Sequence, residues 1–171
     1  MDVVFIFQWL DTSMLADFAK QWAGLFAVIQ TVHIASMVVL GGMILLGDLR
    51  MLNVIMVDVP SEIIIKSTYK WIYLALIFII LSGIYESSAI AMKLAYNTFF
   101  FAKMAGLSMG IIFLLSIRRA VYLRAPGVVR PEGSPDSQSG PIASWVIKLV
   151  AITHLLIWFS VAANGRWIGF S

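Results

Sequence analysis

QWAGLFAVIQTVHIASMVVLGGMILLG, residues 21–47, runs for 27 residues without Asp, Glu, Lys or Arg, and its reading decides the fold. About 20 consecutive apolar residues cross roughly 30 Å of hydrocarbon as a helix, so the run reads as a membrane span. It carries His33 near its middle, and Asp48-Leu49-Arg50 comes after its Gly41-Gly42 half. A second histidine, His154, lies in the last apolar run, and these are the only two in the chain.

The composition agrees with that reading. Of 171 residues 61 % are hydrophobic and 12 % charged, against roughly a quarter charged in soluble domains, and the mean hydropathy is +0.93. The net charge of +3 comes from basic residues at the ends of apolar runs, where topology accounts for them, so nucleic acid is not an expected partner. Cysteine is absent, which excludes disulfides, thiolate-bound metal, iron–sulfur clusters and thioether-attached haem. No Gly-x-Gly-x-x-Gly, P-loop, Gly-x-Ser-x-Gly or His-Glu-x-x-His sequence occurs, and no catalytic residue is assigned.

The apolar runs give four spans, at about 22–47, 69–92, 98–117 and 143–163. Residues 1–20 are too short and too charged to cross and read as an interfacial helix with Trp9 at headgroup depth. The first basic residue is Lys20, so a positive signal-peptide start is missing and this stretch is expected to be retained. Residues 118–141, rich in Arg, Pro, Gly and Ser, read as an exposed loop. The expected fold is an all-α, integral membrane four-helix bundle in one domain, 1–171. Eight of the twelve Lys and Arg residues fall on the side of the first and third connections and four on the other. That excess predicts cytoplasmic connections and external termini in a bacterial inner membrane.

His33 lies eleven residues inward from Trp22, and His154 thirteen inward from Trp167. At 1.5 Å per residue these are about 16 and 20 Å below one interface. An ionisable side chain at that depth is costly and marks a functional site by default. Imidazole is the usual protein ligand of haem iron, and helical bundles supply ligands from facing helices. The sequence therefore predicts a b-type haem clamped by His33 and His154 as metal ligands, with electron transfer as the function. A haem or other metal on a single histidine is one alternative, and hydrogen bonding of both to neighbouring helices is the structural one.

Gly41 and Gly42 would let a flat macrocycle approach the backbone, or serve helix packing as small residues commonly do in membranes. Met37, one turn from His33, is an alternative axial ligand or a space filler. Glu86 and Lys103 fall at one depth on adjacent antiparallel spans, which predicts an ion pair. Alternatively Lys103, with Arg166, meets haem propionates or a quinone head group. Asp48 and Arg50, at the inner end of span one, either pair across to another helix or form a solvated interfacial cluster, and the cluster is the expected reading. The expected partners are the bilayer, a quinone or redox protein, and a second copy of the chain.

Val32-His33-Ile34, Gly41-Gly42, Asp48-Leu49-Arg50-Met51-Leu52, Ser82-Gly83, Phe99-x-x-x-Lys103 and Gly165-Arg166 together resemble a small family of four-span bacterial membrane proteins of unknown function. That family shares a His…Gly…Asp-Leu-Arg pattern and a C-terminal Gly-Arg. More distantly the chain resembles the copper-resistance CopD domain and the HemJ-type protoporphyrinogen oxidase. The likeness implies a haem-associated or redox bundle, with His33 and Lys103 as the positions carried over. Where HemJ-like proteins commonly carry a further His, this chain has Ser116-Ile117-Arg118. A cofactor-free accessory subunit and a HemJ-like porphyrinogen oxidase are the alternative functions.

Overall fold

The computed structural model describes residues 3–124 and 142–170. Every element among the described residues is helical. Two short helices, α1 (Val3–Asp11) and α2 (Met14–Gln21), precede the first long one. They are separate because Ser13 starts α2 as its N-cap, its hydroxyl accepting from the Ala16 amide at 3.2 Å, which satisfies one of the amides a helix start leaves open. Phe7 anchors α1 by packing on Ala91, Leu94 and Ala95, while Phe5, Ile6 and Trp9 stay exposed. An anchored helix with an apolar outer face suits the membrane interface.

Helices α3 (Ala23–Met51) and α4 (Ser61–Ala89) have 29 residues each, about 43 Å at 1.5 Å per residue. After the short α5 (Ala91–Leu94), α6 (Thr98–Phe113) starts at Asn97, whose side chain accepts from the Phe100 amide at 3.0 Å. A π-helical turn, Leu114–Arg118, carries it into α7 (Arg119–Arg124). Helix α8 (Ser144–Trp167) ends in a 3-10 turn, Ile168–Phe170. Four helical stretches, Ala23–Met51, Ser61–Ala89, Thr98–Arg124 and Ser144–Phe170, are long and apolar enough to cross a membrane. Val38 and Phe159 are among their many exposed apolar side chains, the pattern of helices whose outer faces meet lipid rather than water.

The first and fourth helices run on past the spans read from sequence, to Met51 and Phe170, and the second and third differ more. The second span starts at Ser61 and ends at Ala89, because the start signal at Pro60-Ser61 opens the spanning helix itself. The third continues to Arg124, so the loop expected from residue 118 starts later, and its residues 125–141 lie outside the described ones.

The long helices pack as two pairs, α3 with α4 and α6 with α8, joined by α3 against α8. Leu40 and Ile44 of α3, Ile65, Ile72 and Leu76 of α4, Leu114, and Ile147 and Ala151 of α8 form the shared core. Gly106 and Gly110 set α6 against α8: a Cβ on Gly106 would lie 3.0 Å from Val161, and one on Gly110 3.3 Å from Ile157 and Trp158. Small residues four apart let two backbones approach where no hydrophobic effect drives them together.

Arg50 does not join a solvated cluster. It is 1 % exposed and folds over the α3–α4 connection, its guanidinium donating to the Val57 and Val59 carbonyls and to Asn53 Oδ1. Those bonds hold a turn in which Asn53 and Met56 have positive φ, 60° and 50°.

Candidate functional site

Asp48, in the last turns of α3, is fully buried. Its Oδ1 accepts from Arg118 Nε at 2.8 Å and from Tyr122 Oη at 3.1 Å, and its Oδ2 accepts from His154 Nδ1 at 2.6 Å. Arg118 and His154 are also 0 % exposed. The guanidinium carbon sits 4.7 Å from the Tyr122 ring centre and 5.4 Å from that of Tyr69. A buried carboxylate thus holds α3, the α6–α7 junction and α8 together. At Asp48 the pairing across to other helices holds and the expected solvated cluster does not. The partners could not be read from residues so far apart in sequence, and Arg118 lies at the end of a π-helical turn.

The network fixes the state of His154. Trp158 Nε1 donates to His154 Nε2 at 2.8 Å, and an indole nitrogen has no lone pair to offer in return, so Nε2 is the acceptor and the ring proton is on Nδ1, toward Asp48. Both nitrogens are occupied within the protein, with Phe113 stacked on the ring at 5.8 Å. The network is also closed to proton relay at Trp158, which only donates.

His33 sits in a different setting. Ser82 Oγ donates to the Phe78 carbonyl, so it accepts from His33 Nδ1, 2.7 Å away. That bond puts the ring proton on Nδ1 and leaves the Nε2 lone pair free. The Ile79 backbone also interacts with the ring, and the Ser82 contact is at Nδ1. Gly83 backs the ring, since a Cβ there would lie 3.4 Å from His33 Cε1.

His33 lines a cavity of about 560 Å³ between α3 and α8, closed behind by α4 and α6. Leu40, Ile79, Leu107, Trp158 and Val161 form its apolar wall, and Gly41 faces into it, a Cβ there meeting nothing within 4 Å. Gln30, Glu86, Lys103 and Arg166 supply its polar groups. Lys103 lies across α8 at Gly165, where a Cβ would be 3.4 Å from its Cε and 3.5 Å from its Nζ. Arg166 is exposed at the rim, its guanidinium 4.5 Å from the Phe170 ring centre.

Of the residues singled out from sequence, the structure gathers His33, Gly41, Lys103 and Arg166 on this one cavity, together with Met37 and Glu86. It does not bring His154 there. Both its nitrogens are hydrogen-bonded within the protein, to Asp48 and Trp158. Gly42 faces open space and is not part of the lining. Glu86 and Lys103 share the cavity without a hydrogen bond or ion pair between them, and Glu86 Oε1 is buried with no partner among the described residues. Ser82 was read only as part of the family resemblance, and Trp158 and Gln30 went unread, because a single polar side chain in an apolar run has no spacing signal. No group of three or more His, Asp or Glu residues that could hold a bare metal ion occurs among the described residues.

These features define a multi-pass membrane helical bundle with a mixed polar and apolar cavity set between its spans. The chain belongs to a family of unknown function, DUF6644, whose model matches residues 6–171. No curated protein and no solved structure matches the chain.

Proposed function

We propose that this protein is a b-type haem carrier of a bacterial inner membrane that passes electrons, with the iron bound by His33 Nε2 and the haem carboxylates at Lys103 and Arg166. One observation carries the reading: the Ser82 bond that fixes the His33 proton on Nδ1 and turns the free lone pair to a cavity bearing two cations. Outer partners of this kind orient a ligating imidazole and raise its basicity. The CopD-like and HemJ-like resemblance, which rests on His33 and Lys103, agrees with it.

The residues fit the group on one face only. His33 supplies a ligand, Gly41 leaves room beside it, and Leu107 and Trp158 offer apolar surface to a macrocycle. Because both His154 nitrogens are hydrogen-bonded elsewhere, the reading is a single-histidine site in which His33 would hold the iron. When bound, haem supplies the one-electron chemistry, and its potential is set by ligand, burial and polarity. The protein's part is to hold imidazole and carboxylates in register.

The test is an absorption spectrum of the detergent-purified protein, with a pyridine haemochrome assay. A Soret band that shifts on adding carbon monoxide to the reduced protein is expected, because one coordination position is open. His33→Ala should remove the haem, whereas His154→Gln should keep the spectrum. Colourless protein from cells supplied with haem, or a spectrum lost in His154→Gln and kept in His33→Ala, would overturn the assignment.

A further inference from the structure

The cavity has a mouth, and the mouth faces lipid. Its rim is made of exposed residues on two helices, Gln30, Ile34 and Met37 of α3 and Ala162 and Arg166 of α8. Ile34 is 51 % and Met37 41 % exposed. Both stand near the middle of a helix about 43 Å long, well within a hydrocarbon layer of roughly 30 Å. Arg166 lies one residue before the end of α8. The opening therefore runs from the end of α8 down into the acyl region, between α3 and α8, which meet through Asp48 and His154 at the other end.

The charges lining it do not cancel. Lys103 and Arg166 are positive, Glu86 is negative, and His33 is neutral with its proton on Nδ1. Neither cation has a carboxylate partner by hydrogen bond or ion pair among the described residues, and the Lys103 side chain is packed against Gly165, next to Arg166. Lys103 and Glu86 interact across the cavity, so the positive charge in excess lies at the rim on exposed Arg166, where a carboxylate would meet it in a charge-assisted hydrogen bond. The Lys103 chain passes Gly165 in ordinary van der Waals contact, a Cβ there lying 3.4 Å from Cε and 3.5 Å from Nζ, and both cations line the same cavity.

We infer that this is a lateral portal through which the protein takes an acidic amphiphile from the bilayer, its carboxylate on Lys103 and Arg166 and its apolar body lying along Ile34, Met37 and Leu107. The inference deepens the haem reading, since haem is itself an apolar body with carboxylates, by naming the class recognised and its route. It stands or falls without iron. The protein supplies its own control surface: a second groove, lined by Val32, Val39, Trp71, Leu74 and Phe78, has no charged residue in its lining. It should accept acyl chains whatever their head group.

The experiment uses the full-length protein in liposomes, photolabelled with a long-chain fatty acid bearing a mid-chain diazirine, and with the matching fatty alcohol. Adducts are mapped by mass spectrometry. The acid should label the Ile34–Met37 segment and Leu107 at least tenfold more than the alcohol does, while both label the Trp71–Leu74 groove equally. Lys103→Gln with Arg166→Gln should remove the acid preference at the portal and leave groove labelling intact, which also reports that the bundle is folded. Lys103→Arg should retain the preference. An equal acid-to-alcohol ratio at portal and groove in the unmodified protein would overturn the inference. Acid-selective labelling that added haem fails to reduce would count against the haem reading alone. Bound haem without acid selectivity would sink the portal alone.

Discussion

At the scale of single residues, Asp48 has the largest structural role. It is the only carboxylate on Arg118 among the described residues, and it also takes the hydrogen bonds of Tyr122 and His154. Removing one member of a buried ion pair leaves the other uncompensated, at about 3–5 kcal/mol, whereas replacing both by apolar groups of similar volume is often neutral. Asp48→Ala should therefore lower stability in mixed-micelle unfolding by about 3–5 kcal/mol. Asp48→Leu combined with Arg118→Met should recover most of that loss. A double variant as unstable as the sum of the singles would show that the network is not a coupled unit. Arg118 keeps Nη1 and Nη2 buried without a partner among the described residues, so much of its stabilisation comes from this one carboxylate and the two tyrosine rings. The sequence exposed His33, Lys103, Gly41 and Arg166 as candidates because a polar residue, or a glycine, stands out in an apolar run. It could not show Asp48 as buried, since Asp-Leu-Arg at a helix end looks the same whether it faces water or a third helix.

At the scale of helices, the glycines divide by what they face. Gly106 and Gly110 are closed on by α8, with Cβ approaches of 3.0 and 3.3 Å, while Gly41 and Gly42 meet nothing within 4 Å. Packing and access were both open readings for these residues, and only the contacts separate them. Gly106→Leu should force α6 away from Val161, and overpacking of this kind typically costs about 1–3 kcal/mol. Gly42→Ala should change stability by no more than about 0.5 kcal/mol, as surface changes usually do. Melting followed by circular dichroism in detergent compares them, and equal effects would contradict the α6–α8 seam. The existence of four long helices was legible because hydrocarbon thickness sets their minimum length. The extension of the third to Arg124 was not, because Arg118-Arg119 resembles a cytoplasmic flank. A π-helical turn inserts one extra residue into the helical repeat and rotates the side chains beyond it. Leu114–Arg118 does this among apolar residues that give no sign of it, and so turns Arg118 to the core.

At the scale of the whole molecule, the two ends of the bundle differ in kind. One is closed by Asp48, Arg118 and His154, and by Arg50 folded over its connection. The other holds the cavity, with α1 packed on α5 through Phe7. The charge excess on the connections predicts that the closed end faces the cytoplasm, which puts the cavity mouth toward the outer leaflet. Because the chain has no cysteine, one introduced thiol reports one position. Tyr96, 73 % exposed between α5 and α6, and Val57, 43 % exposed in the α3–α4 connection, mark the two ends. In intact spheroplasts a membrane-impermeant maleimide should label Tyr96→Cys at once and Val57→Cys only after lysis. The reverse pattern would invert the bundle, and the portal would then draw its acidic ligand from the inner leaflet.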